Sequence, residues 1–198
     1  MIEVAPGLWV GSEAALAELE QPDDWFILHA AKDPWHREAV GYSGRAAPKD
    51  HPEYLFARRA NRLALNLVDT PDPAFVAPAL IEVALLFVEE GRGLGCPVLI
   101  HCNQGRSRSA TLAMMHLAPM LGPDFEAAEW KMRRLYPDYA PAPGIRAFAT
   151  GNWNGLYRNH ALLHPVRAPE VAASASPRPE PVAAFDPLSR DAPDPPRP

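Results

Sequence analysis

An α/β fold, with a central, mostly parallel sheet flanked by helices, is the fold class predicted by three observations. Two short runs, Trp25-Phe26-Ile27-Leu28-His29 and Pro97-Val98-Leu99-Ile100, are continuously apolar instead of alternating, as strands covered on both faces are. Around them stand stretches with apolar residues at helical spacing, opening near Pro78, Ala110 and Asp124, and strands that alternate with helices build parallel sheets. Beyond Pro165 the chain turns to proline, alanine, serine and scattered charges without a period. Such a segment cannot bury enough apolar surface to offset its ordering entropy. The expected organisation is therefore one domain over residues 1–164 and a disordered Pro/Ala-rich tail over residues 165–198.

Composition narrows the function classes. At 198 residues with 47% hydrophobic content, the chain has the length for one domain with a substantial core. The 24 prolines exceed the roughly ten expected from ~5% usage, and the excess lies in the tail. A net charge of −5 without a lysine and arginine run argues against a nucleic-acid or membrane-surface partner. The N-terminus lacks a basic segment followed by an apolar one, and no apolar stretch approaches about 18 residues. Two cysteines, Cys96 and Cys102, are too few for a secreted disulfide framework. They flank an expected strand that holds their Cα atoms roughly 20 Å apart, beyond disulfide reach. These features predict a reduced, cytoplasmic protein.

In chain order, Gly7 to Ser12 reads as a turn into a short strand. Ser12 stands as N-cap of a helix over residues 13–20, ending before Pro22. Residues 25–29 are the next strand. Residues 31–60 carry Lys32, Arg37, Arg45, Lys49, Arg58 and Arg59 but no period; this polar and basic insert is expected to be a solvated loop or a substrate-facing flap. Residues 61–68 alternate, with Leu63, Leu65 and Leu67 on one face. Pro78 opens a helix with Leu80, Ala84, Phe87 and Val88 at helical spacing, and residues 91–95 end it. Residues 97–100 form a strand into a tight loop, followed by a helix stopped at Pro119. Asp124 caps a further helix ending in Arg133 and Arg134, and residues 141–148 start one last short element.

The loop between the 97–100 strand and the following helix reads His101-Cys102-Asn103-Gln104-Gly105-Arg106-Ser107-Arg108-Ser109. Its backbone N–H groups and the positive end of the helix dipole converge there, which favours anions. An arginine six positions after the cysteine can fold back and offer two parallel donors, the fork that matches phosphate oxygens. The pattern describes a nucleophile inside a phosphate cradle. Arg106, in mid-loop, is expected at the rim. A buried cysteine that merely packs does not account for the C-x5-R-S spacing, the adjacent histidine, the loop glycine and the strand-loop-helix context together. His29, His36 and His51 lack paired metal-ligand spacing.

The chain resembles the protein tyrosine phosphatase superfamily, in particular its small dual-specificity branch. The resemblance is carried by Pro6-Gly7-Leu8-Trp9-Val10-Gly11, by Asp69 after a strand, by residues 101–109, and by Pro143-Gly144-Ile145-Arg146-Ala147-Phe148. It implies a phosphatase-like fold, Cys102 as nucleophile, Arg108 as phosphate-binding arginine, Ser109 as the hydroxyl bonded to sulfur, and His101 as the residue bracing the loop. Asn103, Gln104, Gly105, Arg106 and Ser107 complete the substrate-binding loop. Asp69 is the implied general acid, with Asp72 the second choice because Asp72-Pro73 reads as turn chemistry.

No metal or other cofactor is implied. The partner is a phosphorylated protein, on phosphotyrosine and phosphoserine or phosphothreonine, since the sequence lacks a tryptophan-proline-aspartate loop and a phosphotyrosine-gripping loop. A non-protein phosphoester (phosphoinositide, sugar phosphate or RNA 5′-phosphate) is the first alternative. A phosphate-binding module without turnover is the second, and the presence of both Cys102 and Arg108 speaks against it. A rhodanese-like sulfur carrier needs no upstream acid, so Asp69 speaks against that. The sequence does not specify the oligomeric state.

Overall fold

The structure is a computed structural model describing residues 1–159; the tail expected over residues 165–198 lies outside them. A six-stranded mixed sheet runs in the order β1-β2-β6-β3-β5-β4. In chain order its elements are β1 (Ile2–Ala5), β2 (Leu8–Ser12), α1 (Glu13–Ala17), β3 (Phe26–His29), α2 (Arg37–Val40), β4 (Phe56–Arg59), β5 (Arg62–Leu65), α3 (Pro78–Gly93), β6 (Val98–Cys102), α4 (Arg108–His116), α5 (Ala118–Leu121), α6 (Phe125–Leu135) and α7 (Pro143–Asn159). The four inner strands β2, β6, β3 and β5 pair in parallel, and β1 and β4 close the edges antiparallel. The sheet is mostly parallel, as expected.

Strand parity divides the core. Val98, Ile100 and Cys102 of β6 share one face with Leu8 and Val10, Phe26 and Leu28, and Leu63 and Leu65, in one cluster with α3, α4, α6 and α7. The alternate positions, such as Leu99, His101, Ile27 and His29, are equally buried but face the other way, where α1 and the segment after β3 cover them. Being covered on both faces is why β3 and β6 read as continuously apolar.

Several sequence expectations are corrected, among them the strand over residues 61–68, which as β5 ends at Leu65. The first helix, α1, is shorter than residues 13–20, and Ser12 makes no side-chain cap bond. Ser12 is instead the last residue of β2, registered against Cys102, while the Glu13 N–H donates to Asn103 O (3.4 Å). The helix after the cysteine loop starts at Arg108, not near Ala110, and Pro119 lies in the first turn of the separate α5, where its missing N–H costs nothing.

The element begun at residue 141 is not short: α7 runs for 17 residues. Its glycines lower intrinsic helix propensity, but Ile145, Phe148, Ala149, Trp153 and Leu156 form a buried stripe at helical spacing, and tertiary burial decides the outcome.

Residues 31–60 are also more than a loop. They hold a π-type turn at Lys32–His36 with a cis Asp33-Pro34 bond, then α2, then the edge strand β4. Most of the insert's cations are spent on structure. Arg58 pairs with Glu90 (2.6 Å), Arg59 with Glu53 (2.5 Å), and Lys32 and Arg37 with Asp33 (3.2 and 2.5 Å).

Candidate active site

The cysteine loop leaves β6 at Cys102 and enters α4 at Arg108. Gly105 makes the reversal: its φ is +78°, and a Cβ there would lie 2.9 Å from the backbone of both Gly11 and Ser12. Only glycine fits both constraints. Three of the loop's carbonyls are engaged by N–H groups outside it. Asn103 O accepts from Glu13 N, Arg106 O from Ala140 N (2.9 Å) and Ser107 O from Thr111 N (2.9 Å). Among the described residues, the N–H groups of Gln104, Gly105, Arg106 and Ser107 donate to no backbone carbonyl. A loop that exports its acceptors and keeps its donors is suited to an anion.

Cys102 Sγ lies 3.2 Å from Ser109 Oγ, both groups buried, and Ser109 Oγ also reaches Gly11 O at 3.4 Å. The Arg108 guanidinium is buried at the same loop: Nη1 donates to Leu67 O (3.2 Å) and Nη2 to Asn103 Oδ1 (2.9 Å). Its Nε is 3.1 Å from Asp69 Oδ2 yet, though buried, makes no hydrogen bond of acceptable angle among the described residues. The Asp69 carboxylate meets its charge but not its directional bond, and a buried donor left so is costly. An oxyanion in the cradle is the chemistry that satisfies it.

Asp69 is held on two sides. Its Oδ2 faces Arg108, and Oδ1 accepts from Ser107 Oγ (2.7 Å), which in turn accepts from Ala142 N (2.9 Å). The Asp72 carboxylate is otherwise occupied, capping the turn at Pro73–Phe75 by accepting from Ala74 N (2.8 Å). The acid loop is also fastened to the start of α7. Gly144 N donates to Thr70 O at 2.9 Å, and a Cβ at residue 144 would lie 2.4 Å from that same carbonyl oxygen. Glycine at 144 is therefore what lets the Asp69 loop seat.

Of the expected loop residues, Gln104 and Arg106 are exposed at the rim. Asn103 and Ser107 turn their side chains to Arg108 and Asp69. His101 points away from the cradle. It is fully buried beneath the loop, its Nε2 2.6 Å from His29 Nδ1, with Trp35 stacked on His29 at 4.6 Å and edge-on to His101 at 5.1 Å.

His29 is the participant that sequence reading passed over. Strand register places it directly beside His101, and the signal was present: two strands of matching length, Phe26-Ile27-Leu28 and Val98-Leu99-Ile100, each run into a histidine. Burial, then the neighbouring His101 and Arg62, pushes His29 down to about 3. Burial also lowers His101, to about 4, with the Arg108 charge adding to it against the pull of the Cys102 backbone.

Both histidines are thus neutral in the folded state, one donating to the other, whereas in the unfolded chain each takes up a proton near pH 6.5. Lowered folded values mean that the folded state binds fewer protons in acid. Their contribution is fully present above about pH 6.5 and is withdrawn as pH falls towards 4, by an amount of the order of a few kcal/mol. The melting temperature should accordingly fall between pH 6.5 and 5, above the ordinary carboxylate range. His29→Asn should lose about half of that slope. An unchanged slope in the variant would show that this pair does not govern acid stability.

Among the described residues no helix is long and apolar enough to cross a membrane. No family model matches the chain. It is similar to dual specificity protein phosphatase 12 of Homo sapiens, 28% identical over 141 residues, and to that of Mus musculus, 25% identical over 140 residues. These matches cover 70% and 69% of this chain but 37% and 36% of the relatives, so the chain spans little more than a third of their length. The fold is that of human DUSP28, with a TM-score of 0.54 at 22% identity over 78% of this chain and 92% of the other.

Proposed function

We propose, from the premise that this chain is a dual-specificity-like member of the protein tyrosine phosphatase superfamily, that it hydrolyses phosphomonoesters through a phosphocysteine intermediate. Its substrates on this reading are proteins carrying phosphotyrosine and phosphoserine or phosphothreonine, and the catalytic unit is residues 1–164. The observation that carries the reading is the buried Arg108 Nε, ion-paired to Asp69 but without a well-aligned hydrogen bond, in the same loop as the Cys102 sulfur.

In the first step Cys102 Sγ, as a thiolate, attacks phosphorus in line, the S–P bond forms and the P–O bond to the leaving group breaks. Arg108 and the free loop N–H groups hold the equatorial oxygens as charge spreads over them. Asp69 gives its proton to the departing oxygen. In the second step Asp69 takes a proton from water, whose oxygen attacks phosphorus. The S–P bond breaks, phosphate leaves and the thiolate returns, stabilised by the Ser109 hydroxyl 3.2 Å away. The free thiols Cys96 and Cys102 suit a reducing, cytoplasmic setting.

A non-protein phosphoester is the reading that a basic insert offering a free anion-binding surface would favour. With Lys32, Arg37, Arg58 and Arg59 paired to carboxylates, that support is largely removed, which favours the protein substrate.

The test is hydrolysis of p-nitrophenyl phosphate and of phosphopeptides, with acid quenching to trap phosphate on Cys102 for mass spectrometry. Turnover with a labelled Cys102 is expected. Asp69→Asn should cost about 10²-fold or more on an alkyl phosphate, whose leaving group needs the proton, and less on the activated aryl ester. Asp72→Asn should change either rate little. Pure wild-type protein that turns over no member of a broad phosphoester panel would sink the proposal.

A further inference from the structure

Asn103 follows the cysteine directly in the loop, and its amide is wholly engaged with the protein. Its Oδ1 accepts from Arg108 Nη2 at 2.9 Å. Its Nδ2 donates to the backbone carbonyl of Asp33 at 2.9 Å and to Glu13 Oε2 at 3.2 Å. The orientation of the amide is unambiguous, because the reverse would set NH2 against a guanidinium and oxygen against two acceptors. One side chain thus joins the phosphate-loop arginine, the start of α1 and the turn at Lys32–His36.

We propose that Asn103 is a positioning residue, which transfers the fixed geometry of the Lys32–His36 turn to the Arg108 guanidinium and so sets its aim at the phosphoryl oxygens. The proposal rests on the phosphatase reading and gives the insert a role in it.

The turn is itself well anchored. The Asp33 carboxylate is clamped by Arg37 (2.5 Å) and Lys32 (3.2 Å), and these in turn donate to Gly44 O (2.9 Å) and Arg45 O (2.8 Å). Arg37 and Lys32 hold the Asp33 carboxyl below the usual carboxylate range, so the clamp is charged at neutral pH. Two residues on, Trp35 stacks beneath the same loop on His29. The insert therefore braces the cradle at its arginine and at the histidine preceding its nucleophile.

A guanidinium presents its donors in one plane. With Leu67 O on Nη1 and Asn103 Oδ1 on Nη2, that plane has two fixed points. Removing the second frees the group to turn about the first and to settle further on Asp69. The oxyanion then meets a charge that is present but misaligned.

Tungstate, a tetrahedral oxyanion that needs no turnover, is the probe, with affinity measured by calorimetry on the full chain. Asn103→Ala should weaken it about tenfold, the scale of one hydrogen bond to a charged group, and lower kcat/KM for p-nitrophenyl phosphate in parallel. Arg37→Ala, which removes a side chain bonded to Asp33 and Gly44, should weaken tungstate about threefold. Added to Asn103→Ala it should have no further effect, because the link is already cut.

Affinity within twofold of wild type in Asn103→Ala, or effects that multiply in the double variant, would overturn the inference. If the alanine variant does not fold, unchanged affinity in Arg37→Ala does so alone. Failure of the phosphatase reading looks different: the wild type itself neither binds tungstate nor turns over.

Discussion

Cys102→Ser protein should show no turnover above about 10⁻⁴ of the wild-type rate, while still binding tungstate within a few-fold. The two halves follow from different atoms. Turnover needs an S–P bond, and a serine hydroxyl has no base beside it to make an alkoxide. The histidine next in sequence cannot serve, because His101 is turned under the loop and bonded to His29. Binding needs the loop donors and Arg108, none of which the substitution touches. Steady-state kinetics on p-nitrophenyl phosphate and calorimetry with tungstate check the two halves separately. Residual turnover near one part in ten would take the nucleophile's role away from Cys102.

Arg108→Lys should lose both functions together, with kcat/KM down roughly 10³-fold and tungstate binding down in step. Charge is conserved in this exchange and geometry is not. The guanidinium reaches Leu67 O, Asn103 Oδ1 and Asp69 Oδ2 through three nitrogens. A lysine ammonium is a single point with three donors, so it cannot satisfy both backbone and side-chain acceptors and still present a planar pair to phosphate. It would also bring a strongly hydrated cation to a position only 9% exposed, so a lower melting temperature should accompany the kinetic loss. A kinetic loss below tenfold would mean that charge at this place suffices without the fork.

The parts legible in the sequence are those written in local order. β3 and β6 announce themselves by unbroken apolar runs. α3 does so by period and its opening Pro78, and α6 by Asp124, whose carboxylate does cap Ala127 N at 2.7 Å. Cys102, Arg108 and Ser109 flank one short loop, so spacing alone brings them together, and Asp69 comes four residues after β5, which the sequence extends to residue 68.

What escaped was of two kinds. β4 carries two exposed arginines in four residues, because an edge strand has no second partner to demand apolar side chains. α7 depends on burial that outweighs its glycines. In the site, the His29–His101 contact exists only through strand register. The groups that hold Arg108 and Asp69 in place include Leu67 O and Ala142 N–H, backbone atoms that every residue possesses and no letter marks.

The stretch before and into α7 meets three parts of the site in five residues. Ala140 N binds Arg106 O, Ala142 N binds Ser107 Oγ, and Gly144 N binds Thr70 O. The cysteine loop follows β6 and the Asp69 loop follows β5, with α3 between them in the chain, and they have no covalent reason to keep step. This segment acts as a gauge block between them. On the proposed mechanism, the distance from the Asp69 carboxyl to the Cys102 sulfur is machined into a stretch of chain that never touches the reacting atoms. The two halves of the proposed reaction, attack on phosphorus and release of the leaving group, would therefore share one mechanical reference.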